Sequence, residues 1–166
     1  MYVDAQEVAG YNVVIYDTDL QWRQILNREM HAVGFGNVVQ VATAKEALQA
    51  IRDNHADAIV VPHDLKLIKF LRSHRASPNR RIVIILVTAN VGSTDIARER
   101  DSGVNEIVAK PASVEQVVTH LYAALSHPRR FIDSKIYHGP DRRRHNRVYM
   151  KEERCGTGQV AVSDED

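Results

Sequence analysis

Asp57-Ala58-Ile59-Val60-Val61-Pro62-His63-Asp64 is an apolar run that ends on a proline. Its apolar residues show no polar alternation, which predicts a strand over Asp57 to Pro62 covered on both faces, as in the middle of a parallel sheet. Pro62 brings no ionisable or nucleophilic side chain to the strand's end. The polar pair His63-Asp64 runs almost directly into a helix that starts near Leu65 and reaches about His74.

Similar units lie on either side. Asn12 to Tyr16 is a short apolar strand closed by Asp17-Thr18-Asp19. Leu20, Trp22, Ile25, Leu26, Met30 and Val33 then recur at helical spacing, with Thr18 or Asp19 as N-cap and Gly34 as the stop. Val38 to Val41 is a second strand, and Thr43-Ala44-Lys45-Glu46 is a capping box that opens a helix to about Arg52. Downstream, Ile82 to Thr88 is the most apolar run in the chain and predicts a buried central strand. Ser93 to Asp101 reads as a more polar helix ended by Gly103, Ile107 to Ala109 as a fifth strand, and Ser113 to Gln116 as a second capping box for a helix to about Ser126.

Five strands alternating with five helices through short loops imply right-handed βαβ crossovers and a doubly wound parallel sheet. Ligand chemistry in such sheets gathers at the carboxyl ends of the strands. That directs attention to Asp17 to Asp19, Pro62 to Asp64, Thr88-Ala89 and Lys110-Pro111.

The 166 residues, 44% hydrophobic and 26% charged, fit one globular domain with additional chain. Net charge is only +1, but it is unevenly placed. Met1 to Leu125 carries 13 Lys/Arg against 14 Asp/Glu, whereas Arg129 to Arg154 carries 9 against 4. No run reaches the roughly 20 apolar residues a membrane span needs, and the first ten residues have no basic n-region. Cys155 is the single cysteine, so no internal disulfide forms, which suits a reducing cytoplasm. The eight histidines show no metal-ligand spacing.

An Asp after the first strand, Val87-Thr88-Ala89 after the fourth and Val108-Ala109-Lys110-Pro111 after the fifth resemble the response-regulator receiver domain (CheY-like) of two-component signalling. The resemblance covers about residues 11 to 126. It implies a five-stranded flavodoxin-like sheet of order 2-1-3-4-5. It also implies that two acids after strand one hold Mg²⁺, an Asp ending strand three takes the phosphoryl group, a hydroxyl after strand four contacts it and a Lys after strand five pairs with it. By position, Asp17 matches the first acid, Thr18 replaces the second, Pro62 replaces the phosphoacceptor, and Thr88 and Lys110 match the hydroxyl and the lysine. The aromatic switch position on strand five holds Ile107.

Covalent phosphoryl acceptance needs a carboxylate, and Mg²⁺ needs several oxygens in near-octahedral array. Proline supplies neither, so the resemblance is to a degenerate member, a pseudo-receiver without bound Mg²⁺. Asp64 is the alternative acceptor, displaced by roughly 6.5 Å along the chain, too far for Thr88 and Lys110 to serve unless the loop is rebuilt. The reading of the residues alone gives Lys110 a structural role as partner of Asp17, and Thr88 one in capping or bonding the backbone.

Residues 127 to 155 form a basic extension, and 156 to 166 an acidic, disordered end. Arg129-Arg130-Phe131-Ile132 and Ile136-Tyr137 carry enough apolar surface to dock on the domain or on a partner. Tyr137 to Asp141 reads as a turn with Asp141 as N-cap, leading into Arg142, Arg143, Arg144 and Arg147. Three readings of this cluster stay open. It is a solvated or partner-docking segment, a cyclic di-GMP site in which Arg142, Arg143, Arg144 and Arg147, with Arg143 and Arg147 in Arg-x-x-x-Arg spacing, grip the nucleotide with Tyr137 stacking, or a nucleic-acid contact. The last is disfavoured because no helix-turn-helix or RNA-binding motif follows. The combined expectation is a non-enzymatic cytoplasmic signalling module that works by contact with a protein partner, with a cyclic dinucleotide effector and an Asp64 phosphoacceptor as alternatives.

Overall fold

A computed structural model describes residues 5–89 and 99–143. Five parallel strands, β1 (Asn12–Tyr16), β2 (Asn37–Val41), β3 (Ala58–Val61), β4 (Val83–Thr88) and β5 (Glu106–Ala109), form one sheet in the order β2-β1-β3-β4-β5. The expected doubly wound, flavodoxin-like sheet is therefore present. Register follows the hydrophobic pattern: Val14 lies beside Ile59, and Ile59 beside Ile84.

Strand alternation divides the core into two layers. Val13, Ile15, Val60, Ile85 and Val87 face one side, where they meet Leu26 and Met30 of α2 (Leu20–Val33) and Val117, Leu121 and Leu125 of α5 (Val114–Ser126). Val14, Ile59, Val61, Ile84 and Leu86 face the other, against Ile51 of α3 (Ala44–Asp53) and Ile68 and Leu71 of α4 (Leu65–Ser73). All six residues of β4 are buried. Each such aliphatic side chain contributes about 1.5–3 kcal/mol by leaving water.

Local chemistry sets the helix ends. Asp19 accepts the Trp22 N–H at 3.1 Å, and Gly34, at φ 112°, closes α2 by donating to Met30 and His31. Thr43–Glu46 and Ser113–Gln116 both form reciprocal capping boxes. A four-residue helix, α1 (Ala5–Val8), buries Val8 beside α5, where Glu7 accepts from the Tyr122 hydroxyl. The polar helix expected over 93–101 lies mostly outside the described residues, but 99–101 are helical and Gly103 follows at φ 94°.

The turn expected at Tyr137 to Asp141 is instead strand. β6 (Phe131–Asp133) and β7 (His138–Pro140) form an antiparallel hairpin in which Phe131 pairs with Pro140. The cause is tertiary. The guanidinium groups of Arg72 and Arg81 stand 5.8 and 5.7 Å from the Phe131 ring centroid, and the Tyr137 hydroxyl donates to Pro140 O at 2.8 Å.

Candidate functional site

The strand ends converge as the sequence predicts, but their side chains pair with one another. Asp17, 6% exposed, accepts the Asp19 N–H on Oδ1 at 3.0 Å, and its Oδ2 lies 3.7 Å from Lys110 Nζ. The Lys110 ammonium also stands 5.4 Å from the Trp22 ring centroid. The Lys110 N–H donates to Thr88 O at 2.6 Å, fastening β5 to β4 just before the cis Lys110–Pro111 peptide. An ion pair of this kind persists because losing the lysine would strand a buried carboxylate.

Thr88 turns elsewhere. Its hydroxyl donates to Glu99 Oε1 at 3.2 Å, a side-chain partner beyond the capping or backbone role expected from sequence. Glu99 is fully buried, and His63 Nδ1 reaches the same Oε1 at 2.7 Å. Among the described residues, Glu99 Oε2 has no hydrogen-bond partner. The residue next to Pro62 thus ties the β3–α4 loop to the helical turn at 99–101.

Pro62 is part-buried, and its carbonyl accepts the Asp64 N–H at 2.7 Å. Asp64 is the N-cap of α4, accepting from Leu67 N at 3.0 Å, while its Oδ2 accepts the Tyr16 hydroxyl at 3.4 Å. Burial, assisted by the neighbouring Asp64 carboxylate, raises the Tyr16 phenol above its ordinary value. Thr18 is exposed. As a Mg²⁺ site the donor set fits poorly: one Asp17 oxygen faces an ammonium and the other a backbone N–H, while Pro62 offers no side-chain oxygen.

In the tail, the Arg142 guanidinium lies 4.0 Å over the Tyr137 ring and pairs with Asp101. Tyr137 is 9% exposed, so the face expected to stack on a nucleotide already carries an intramolecular cation. Asp141 Oδ1 accepts Arg143 N at 2.9 Å, as a cap would, but 141–143 are not helical. Arg144, Arg147, Cys155 and the acidic end lie outside the described residues.

Two side chains central to this arrangement escaped the sequence reading. Glu99 sits in a segment read as polar, and the only hint of its burial is its place three residues after Ile96 and four before Gly103. Arg72 looks like an ordinary basic residue at a helix end. It is in fact 1% exposed, donating to the carbonyls of Gly103 at 2.7 Å and of Arg80 and Ile82 at 2.8 Å, and to Asn105 Oδ1 at 2.9 Å. Desolvation lowers its pKa to about 10, which leaves it charged at neutral pH.

Sheet order, helix placement and this set of strand-end residues define a receiver-type fold. Solved receiver structures superpose on it. Chemotaxis response regulator CheY4 of Vibrio cholerae matches with a TM-score of 0.62 at 19% identity, over 69% of this chain and 98% of that one. A candidate response regulator from Chloroflexus aurantiacus matches with 0.62 at 24% identity, over 70% and 98%. A LuxR-family DNA-binding response regulator from Staphylococcus aureus matches with 0.58 at 15% identity, over 67% and 95%. No protein-family model matches the chain, and no curated protein sequence matches it. The chain therefore has the fold of response-regulator receiver domains, with residues beyond 126 added to it.

Proposed function

We propose that this chain is a pseudo-receiver, a non-enzymatic cytoplasmic module of bacterial two-component or second-messenger signalling that acts by protein contact and not by accepting phosphate. The observation that carries this reading is the Asp17–Lys110 pair beside Pro62. The lysine that would neutralise a phosphoryl group is engaged by the acid that would hold a metal, and the acceptor carboxylate is missing between them. Asp64 supports the same reading, because both of its oxygens are committed, one to capping α4 and one to Tyr16. Freeing it would cost the cap, about 1 kcal/mol, before any transfer chemistry began. Incubation with a small phosphodonor and Mg²⁺ tests the proposal, with Asp64→Ala as the comparison. A phosphorylated species that disappears in the variant would move the function to Asp64.

A second reading, a cyclic di-GMP effector, rests on the Arg143-x-x-x-Arg147 spacing, since Arg142 is already engaged by Tyr137 and Asp101. Calorimetric titration of wild type and an Arg143→Ala/Arg147→Ala variant decides it. Absence of heat at high micromolar nucleotide removes this reading.

A further inference from the structure

The hairpin tip is not explained by the fold. Ser134 N donates to Tyr137 O at 3.0 Å and Tyr137 N donates to Ser134 Oγ at 3.1 Å, so only Lys135 and Ile136 remain at the turn's centre. Tight hairpin turns favour Gly, Asn and Asp, and an isoleucine answers no need of the backbone there. Yet Ile136 is 95% exposed, the most exposed large apolar side chain among the described residues.

Exposed cations lie on and beside the hairpin. Arg81, Arg130 and Lys135 are exposed, and none of them is in an ion pair among the described residues. Arg129 and Arg142 are already paired, with Glu106 and Asp101. Strand alternation places Arg130 and part-buried Ile132 on the side opposite Phe131, which packs inward against Arg72. The residues next to the turn are held firmly: Asp133 binds His138 at 2.5 Å and Arg80 at 3.3 Å, and Tyr137 is buried.

We propose that this hairpin is a docking surface for an anionic lipid bilayer, with Ile136 entering the boundary between headgroups and acyl chains while Lys135 and Arg130 meet lipid phosphates. Burial of apolar surface plus attraction to anionic lipid is the combination that holds interfacial segments in place. The tip is ordered in advance by Ser134, so little conformational freedom is lost on docking. Nucleic acid fits less well. The two rings that would stack bases, Phe131 and Tyr137, are already covered by guanidinium groups, and a polyanion in water gains nothing from an aliphatic tip. The surface is separate from the strand-end crevice, so this proposal stands whether or not the crevice takes phosphate.

Co-sedimentation of the full chain with vesicles tests it, comparing phosphatidylcholine alone with a phosphatidylcholine–phosphatidylglycerol mixture. Binding is expected to the mixture only, and to fall as salt rises. Ile136→Ser should weaken it about tenfold, the loss of one partly buried aliphatic side chain, and Lys135→Glu should weaken it as well. Ile136 is solvent-exposed, so both variants should keep the wild-type melting temperature. Failure to bind the anionic vesicles overturns the proposal. So does binding that Ile136→Ser leaves unchanged, or binding of a DNA duplex as tight as that of the vesicles and indifferent to Ile136→Ser, either of which would make the patch a purely electrostatic one.

Discussion

Glu99 and His63 join two segments that are 36 residues apart in sequence: the imidazole of an exposed loop residue meets a fully buried carboxyl group at 2.7 Å. Thr88 donates to the same oxygen. The hydroxyl at the end of β4 is thereby drawn toward the 99–101 turn, and Lys110 toward Asp17. The strand ends thus carry two side-chain pairings, Asp17–Lys110 and His63–Glu99 with Thr88.

If that bond fastens the β3–α4 loop, its loss should be measurable and conditional. His63→Ala is expected to destabilise the protein by about 1–2 kcal/mol, the cost of leaving a buried acceptor short of a partner, reduced because His63 is partly exposed. In a Glu99→Gln background the same change should cost much less. Urea unfolding of the two single variants and the double variant measures the coupling.

Arg72 organises the region beneath the tail. Arg72→Ala strips donors from three carbonyls and Asn105, and is expected to cost about 3 kcal/mol or more. Arg72→Lys should recover only a part, since one ammonium cannot serve four acceptors spread around a planar fork. Thermal unfolding ranks the three proteins.

Gly103 links this network to the hairpin. It has a φ of 94°, and a Cβ there would meet the His138 carbonyl closer than real contacts allow. Gly103→Ala is expected to cost about 1–3 kcal/mol through strain and displacement of β7. Hydrogen exchange should localise the loss of protection to 131–140 and 99–105.

These last two predictions concern what the sequence hid. The five strands were legible because each is a contiguous apolar run, and the helix starts because Asp19, Thr43 and Ser113 carry their capping chemistry within four residues. The hairpin was not. Its strands are three residues long, Gly139 and Pro140 read as turn formers, and what makes them strand is Arg72, about sixty residues away, and the carbonyl of Arg130. The Asp17–Lys110 pair followed from two strand ends that a parallel sheet must bring together. Glu99 did not, since an acid three residues from an aliphatic one on a polar helix looks solvated until the helix is packed.

Alkaline pH should weaken the fold. Burial raises the phenols of Tyr16 and Tyr137, with the Asp64 carboxylate adding to the effect at Tyr16. A group that ionises at higher pH when folded adds stability that is complete below its unfolded pKa of about 10 and is lost as pH climbs through the folded value. Melting temperature is therefore expected to fall above about pH 10. Tyr16→Phe should flatten that fall, as read from melts across the alkaline range.

The central claim is that the end of β3 carries no phosphoryl chemistry, and intact-protein mass spectrometry after incubation with a small phosphodonor and Mg²⁺ tests it most directly. The account predicts an unchanged mass for wild type and for Asp64→Ala alike. A wild-type species heavier by one phosphoryl group and lost on Asp64→Ala would contradict it.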